Sequence, residues 1–219
     1  MNELKFILKK FEITKIPGHH QPIEIPNIGR WGLAGLFAEL GYKRGVEVGV
    51  QAGEYSEVLC KSIPGLELFC VDPWKAYKGY RDFVRQDRID GFLREAHERL
   101  DRFNENGNGN RVHFVQKFSM DAVKEFEDGS LDFVYIDAAH NLQNVTNDIV
   151  EWSKKLRRSG SCSGHDYCLR TRPTDQHVVY AVEAYTKAYD IRPYFVLGAK
   201  SKEPGVTRDF SRSYFWLKP

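Results

Sequence analysis

Hydrophobic and polar positions along this chain alternate between two rhythms. Five short apolar runs, at residues 45–50, 67–71, 112–116, 131–136 and 161–165, are separated by segments whose apolar residues recur at helical spacing. Runs that are apolar on successive positions predict strands covered on both faces. Their alternation with helices predicts an α/β fold, a doubly wound Rossmann-like sheet, mostly parallel, with helices on both sides. The clearest helix lies before the fifth run, where Val145, Ile149, Trp152 and Leu156 form one stripe and Arg157-Arg158-Ser159-Gly160 ends it. Residues 178–188 predict another helix. Residues 194–197 and 213–217 predict a closing pair of strands joined across a turn that carries Pro204-Gly205.

Two segments fall outside this alternation. Residues 1–44 hold a proline-punctuated lead-in, Ile16-Pro17-Gly18-His19-His20-Gln21-Pro22, and a helix at 31–40 that Gly41 can cap, and they are expected to pack beside the sheet as a lid. Residues 73–110, after the second run, form an insert longer than a crossover needs. It contains a charged helix at 82–103 and a tail from Asn104 to Asn110 that reads as a flexible loop. Charges of both signs alternate along that helix, which describes a solvated face.

The 219 residues most economically make one domain, and 42% hydrophobic with 28% charged residues is ordinary for a soluble globular chain. A formal charge of +2 from 32 basic and 30 acidic residues, interspersed, leaves no footprint for nucleic acid. No apolar run spans a bilayer, and the first eleven residues mix Lys and Glu among apolar ones, so neither a membrane partner nor a secretory leader is expected. The expected address is cytoplasmic and the expected partner a small molecule, with homo-oligomerisation left open. Cys60, Cys70, Cys162 and Cys168 lack paired spacing and sit mostly in apolar segments, as buried free thiols do.

The chemistry concentrates where runs end. Val46-Glu47-Val48-Gly49-Val50-Gln51-Ala52-Gly53 is a strand entering a glycine-spaced turn before a helix. A dinucleotide fingerprint places a glycine where this chain has Glu47, because pyrophosphate must approach bare backbone. A fixed carboxylate there repels pyrophosphate and attracts a ligand bearing an ammonium and a sulfonium. Asp72 ends the second run 25 positions after Glu47 (72 minus 47), near the roughly 20-residue offset of an acid that holds ribose hydroxyls. Trp74 either covers an adenine as an exposed ring or fills the core. Ser119, after the third run, either caps the helix that follows or touches the base.

After the fourth run stand Asp137 and His140, and after the fifth His165 and Asp166. Neighbouring strands lie about 4.8 Å apart, so Asp137 and Asp166 can converge. Two acids with histidines beside them can share a hard divalent cation, here Asp137, Asp166 and His165. Alternatively His140 or His165 serves as general base, Asp137 fixes the ligand's amino group, and His165 is a hydrogen-bonded core residue.

Val-Glu-Val-Gly-Val-x-x-Gly at 46–53, Val-Asp-Pro-Trp at 71–74, Asp-Phe-Val-Tyr-Ile-Asp-Ala-x-His at 132–140 and Gly-His-Asp-Tyr at 164–167 resemble, in that order, the class I S-adenosylmethionine-dependent methyltransferases. The subgroup is similar to macrocin O-methyltransferase and more distantly to catechol O-methyltransferase. The resemblance spans roughly residues 31–219. It implies a seven-stranded sheet with its last strand antiparallel, binding S-adenosylmethionine through Glu47, Gly49, Gly53 and Asp72. It also implies that Ser119 lies where adenine is contacted, and that Asp137 ligates magnesium with two polar residues after the next strand. This chain has no second carboxylate or amide beside Asp166, a departure that bears on the ion. The expected activity is O-methylation of a small hydroxylated metabolite such as a sugar. The rivals are a nicotinamide-dependent oxidoreductase and a non-catalytic binding module. Tyr77, Tyr80 and Arg81 suit many acceptors.

Overall fold

The structure, a computed structural model, describes residues 2–18, 20–77, 85–105, 109, 111–169, 177–201 and 203–219. Its strands are β1 (Ile23–Ile25), β2 (Arg44–Val48), β3 (Glu67–Val71), β4 (Arg111–Val115), β5 (Leu131–Ile136), β6 (Leu156–Gly164), β7 (Tyr194–Leu197) and β8 (Ser213–Leu217). Its helices are α1 (Glu3–Lys10), α2 (Arg30–Glu39), α3 (Glu54–Ser62), α4 (Gln86–Leu100), α5 (Arg102–Glu105), α6 (Ser119–Ala122), α7 (Leu142–Lys155) and α8 (Val178–Ala188). They form one sheet in the order β1-β7-β8-β6-β5-β2-β3-β4. Strands β2 to β6 run parallel, while β8 is antiparallel to both β6 and β7.

Period-two alternation explains the two faces. Phe133, Tyr135, Phe195 and Phe215 point to one core, shared with Leu33 and Phe37 of α2, Leu59 of α3 and Leu100 of α4. Val46, Val48, Val134, Ile136 and Trp216 point to the other, shared with Ile149 and Trp152 of α7 and Val182 of α8. The predicted seven strands are present, and the sheet has eight. The eighth, β1, pairs parallel with β7 from Ile23↔Phe195 to Ile25↔Leu197. Ile23-Glu24-Ile25 alternates, but three residues between Pro22 and Pro26 are too few to mark a strand, and an edge position tolerates the flanking prolines.

Other boundaries moved for identifiable reasons. Strand β6 starts at Leu156, directly after α7, so Arg157-Arg158-Ser159-Gly160 lies in the strand instead of in a loop. Ser159 adopts φ +61 there and the β5–β6 register shifts between Leu131 and Phe133. Helix α2 closes as expected: Tyr42 N–H reaches Phe37 C=O at 3.0 Å and Gly41 N–H reaches Ala38 C=O at 3.0 Å, with Gly41 at φ +75. The charged helix of the insert begins at Gln86; residues 78–84, including Tyr80 and Arg81, and most of the 106–110 tail lie outside the described residues.

The lead-in holds a helix the sequence reading passed over. Asn2 caps α1 by accepting from Lys5 N–H at 2.9 Å, and Ile7 is fully buried. Glu3 meets Arg157, near the start of β6, at 3.3 Å, which puts α1 toward the amino ends of the strands. Among described residues of 1–44, Arg30 alone lines the cavity at the carboxyl ends. All four cysteines are buried free thiols. No helix among the described residues is long and apolar enough to cross a membrane.

Candidate functional site

A cavity of about 780 Å³ opens at the carboxyl ends of β2, β3, β5 and β6, where parallel α/β sheets place their ligands. Its floor is the turn after β2. Gly49 stands at φ +90, and a Cβ there would lie 2.1 Å from the Asp137 carbonyl oxygen. The backbone is bound on both sides, Gly49 N–H to Val71 C=O and Asp137 N–H to Val48 C=O, each at 2.8 Å. Only a residue without a side chain fits between the two strand ends. Gly53 differs: it does not line the cavity, and its φ of +76 begins α3 with Ala96 Cα of α4 3.3 Å from a hypothetical Cβ. It serves helix packing and the turn's shape.

Asp72 brackets this turn. One carboxylate oxygen accepts from Val50 N–H (3.1 Å) and Gln51 N–H (3.0 Å), the other from Trp74 N–H (2.8 Å). Burial pushes its pKa up, and these three donors work against that. Trp74 lines the cavity but is buried at 5% exposure, its indole N–H donating to Gln51 C=O at 2.8 Å. Of the two readings of Trp74 the core one holds and the exposed ring does not: that indole bond accompanies an inward-turned side chain. Gln51, Trp74 and Asp166 all line the cavity with left-handed backbone, at φ +52, +40 and +59. Strain of this kind, in residues with side chains, gathers where ligands bind.

Glu47 projects from β2 into the cavity wall, buried, and accepts a hydrogen bond from Ser56 Oγ. Burial raises its pKa to about 8, against the Ser56 bond, and the nearby Asp137 adds to the rise. A carboxylate held this way gains most from a cationic ligand.

Ser119 is the first residue of α6 and not its cap; Phe118 takes the cap position without a side-chain bond. The Ser119 hydroxyl donates instead to Asp148 and accepts from Trp152 Nε1 at 2.8 Å. Asp148, on α7, is 3% exposed and lines the cavity, and burial raises its pKa to about 7 despite the Ser119 bond. Sequence reasoning missed Asp148, yet a signal existed. It sits three residues after Val145 and four before Trp152, a carboxylate inside an apolar stripe.

The opposite wall alternates acids with imidazoles. His140 Nε2 lies 3.1 Å from Asp166 and 3.8 Å from Asp137. His165 Nδ1 lies 3.4 Å from Asp166 and 3.8 Å from Asp137, while its Nε2 faces Asp209 at 3.7 Å. Burial alone would lower both imidazoles, but the carboxylates prevail: His140 rises to about 10 and His165 to about 9. Asp166, against its own burial, is held far below the ordinary carboxylate range by the two histidines. Arg30 closes the row, its Nη1 3.4 Å from Asp137.

Asp137, His140 and Asp166 each offer one ligand atom, all within 4.8 Å of one another. That set fits a divalent cation, and one imidazole with two carboxylates suits manganese, iron or zinc better than magnesium, which prefers oxygen throughout. His165, expected among the ligands, lies outside this group and does not line the cavity. The cavity wall carries Glu47, Glu54, Asp72, Asp137, Asp148 and Asp166 against Arg30, Lys75 and His140.

Residues 46–167, more than half of the chain, match the family described as methyltransferase domain. The fold is similar to that of the O-methyltransferase from Bacillus cereus in complex with SAH, at 15% identity over 100% of this chain and 91% of that one, with a TM-score of 0.57. It is similar also to the O-methyltransferase TomG from Streptomyces achromogenes, involved in tomaymycin synthesis and in complex with SAM (14% identity, 100% and 91% coverage, TM-score 0.57). A SAM-dependent O-methyltransferase from Thermotoga maritima matches at 13% identity over 96% of this chain and 69% of that one, TM-score 0.57. No curated protein matches the sequence. With the glycine turn, the acid-lined cavity and the family match on the same strand ends, the chain belongs to the methyltransferase-domain family.

Proposed function

We propose that this protein is an S-adenosylmethionine-dependent O-methyltransferase whose acceptor is a small hydroxylated metabolite, a sugar or polyol in keeping with the likeness to the macrocin subgroup. One observation carries the reading: six acidic side chains, against Arg30, Lys75 and His140, line the cavity around a turn too tight for any residue but glycine, and a cationic ligand draws the proton off those that burial has raised. A ligand with ammonium and sulfonium charges is attracted there, whereas the pyrophosphate of a nicotinamide dinucleotide would face Glu47 and Asp72. The complexes named for the Bacillus and Streptomyces proteins, with SAH and SAM, support the same ligand.

Transfer requires the acceptor oxygen in line with the sulfonium–methyl bond; the C–O bond forms as the C–S bond breaks, and the hydroxyl proton must leave. Positioning and water exclusion supply much of the acceleration. His140 is the imidazole that lines the cavity, so it is the proton acceptor, with Asp137 and Asp166 orienting it. Because those acids raise it to about 10, His140 is charged at neutral pH and accepts a proton only once its own has gone. A divalent cation held by Asp137, His140 and Asp166 would be the alternative to that base: it would displace the His140 proton, take the imidazole as a ligand, and itself lower the pKa of a bound hydroxyl.

Mass spectrometry of a panel of sugars, polyols and phenols incubated with S-adenosylmethionine tests the reading. Methylated polyol is expected, lost on chelation and restored by manganese or magnesium. Activity surviving exhaustive chelation removes the cation; failure to bind S-adenosylmethionine removes the whole reading.

A further inference from the structure

Every carboxylate on the cavity wall favours the cofactor's positive groups, and this creates a difficulty at one atom. The amino-acid end of S-adenosylmethionine is a zwitterion, and its α-carboxylate hangs on the same carbon as the ammonium. If Glu47 meets the ammonium, that carboxylate arrives beside Glu47 and Asp137 and is repelled by both unless a cation stands there. Lys75 follows Trp74 at the β3 end, on the ribose side of the turn. The cation beside Glu47 and Asp137 is Arg30, whose pKa burial would lower but Tyr135, Asp137 and Glu47 together raise.

Arg30 is also held in place for such a task. It is the first residue of α2, and Gly29 before it gives no side-chain cap. The Tyr55 hydroxyl donates to the Arg30 carbonyl at 3.1 Å, and the guanidinium lies 4.8 Å from the Trp31 ring centroid and 5.7 Å from that of Tyr55. Nη1 alone reaches Asp137, so the rest of the planar fork faces no other carboxylate among the described residues. A guanidinium so placed matches a carboxylate two-point, and the positive end of α2 adds to it.

We infer that Arg30 reads the α-carboxylate of the cofactor's amino-acid moiety, opposite Glu47 on the ammonium, so that this pocket selects the complete amino acid and not only the nucleoside. The inference rests on the proposed cofactor. Calorimetry of the full chain with S-adenosylhomocysteine and with 5′-deoxy-5′-methylthioadenosine, which keeps the nucleoside and thioether but lacks the amino-acid group, tests it. Arg30→Gln should weaken S-adenosylhomocysteine on the order of tenfold to a hundredfold and leave methylthioadenosine within about twofold. Arg30→Lys, which keeps the charge without the fork, should fall between. Equal weakening of both ligands, or unchanged S-adenosylhomocysteine binding with a raised acceptor KM, overturns the assignment and leaves the cofactor reading intact. A parent protein that binds neither ligand overturns that reading itself.

Discussion

The two walls of the cavity are built by different means. On the β2–β3 side the chain itself is the structure: Gly49 is wedged between strand ends, and Asp72 spends both oxygens on the backbone N–H groups of Val50, Gln51 and Trp74. On the β5–β6 side and along α7 the work falls to ionisable side chains, Asp137, His140, Asp148, Asp166 and His165, most of them bonded to one another. A backbone wall holds shape through bonds that do not titrate, even though Glu47, raised to about 8, sits within it. A side-chain wall holds charge and can take up or release protons. The difference suits a reaction in which one partner must only be held and the other must lose a proton.

The strongest way to break the backbone wall is Gly49→Val. The new Cβ meets the Asp137 carbonyl oxygen at 2.1 Å in a left-handed conformation, so cofactor binding should vanish in calorimetry. Thermal unfolding should show a loss of more than about 3 kcal/mol.

Asp148 tests the side-chain wall through pH. Its folded pKa, about 7, lies above the ordinary 3.8, so the folded state binds the proton more tightly and burial of the charged form is what opposes folding. Stability from this group is fully present below pH 3.8, declines as pH rises to about 7 and is level beyond. Asp148→Asn cannot ionise and keeps a partner for Ser119. Its advantage over the parent in urea melts should be nil near pH 4 and grow to as much as about 4 kcal/mol by pH 8.

Asp72→Ala separates ribose binding from bracing of the turn. Affinity for S-adenosylhomocysteine should fall on the order of 2 kcal/mol, about thirtyfold. Because three backbone donors also lose their acceptor, the melting temperature should fall with it; a loss of affinity with no change in melting would assign Asp72 to the ligand alone. The smallest effect sharpens the contrast between the two glycines. Gly53→Ala faces α4 and not the cavity, so it should cost about 1 kcal/mol in stability and leave affinity unchanged, as measured by melts and calorimetry side by side.

How far the sequence reveals this arrangement follows the same division. Strands buried on both faces announce themselves as apolar runs, and glycines with acids at their ends mark the backbone wall, so Glu47, Gly49 and Asp72 are legible. β1 is too short and too proline-flanked to mark a strand, and α1 is a single amphipathic turn pair beside a coil-like segment. The side-chain wall is legible only in part, because which histidine turns inward depends on backbone after the strand. Asp166 at φ +59 aims its carboxylate at His140, while His165, adjacent in sequence, turns toward Asp209 in the loop before β8. Arg30 reaches the site from 17 residues before Glu47 (47 minus 30), a distance no local pattern bridges.

The central claim, that the acid-lined glycine turn holds S-adenosylmethionine and not a dinucleotide, meets its most direct test in calorimetry of the purified full chain. Titration with S-adenosylhomocysteine should give saturable one-site binding, and titration with NADH under the same conditions should give none. Tight NADH binding with no heat from S-adenosylhomocysteine or S-adenosylmethionine would contradict it.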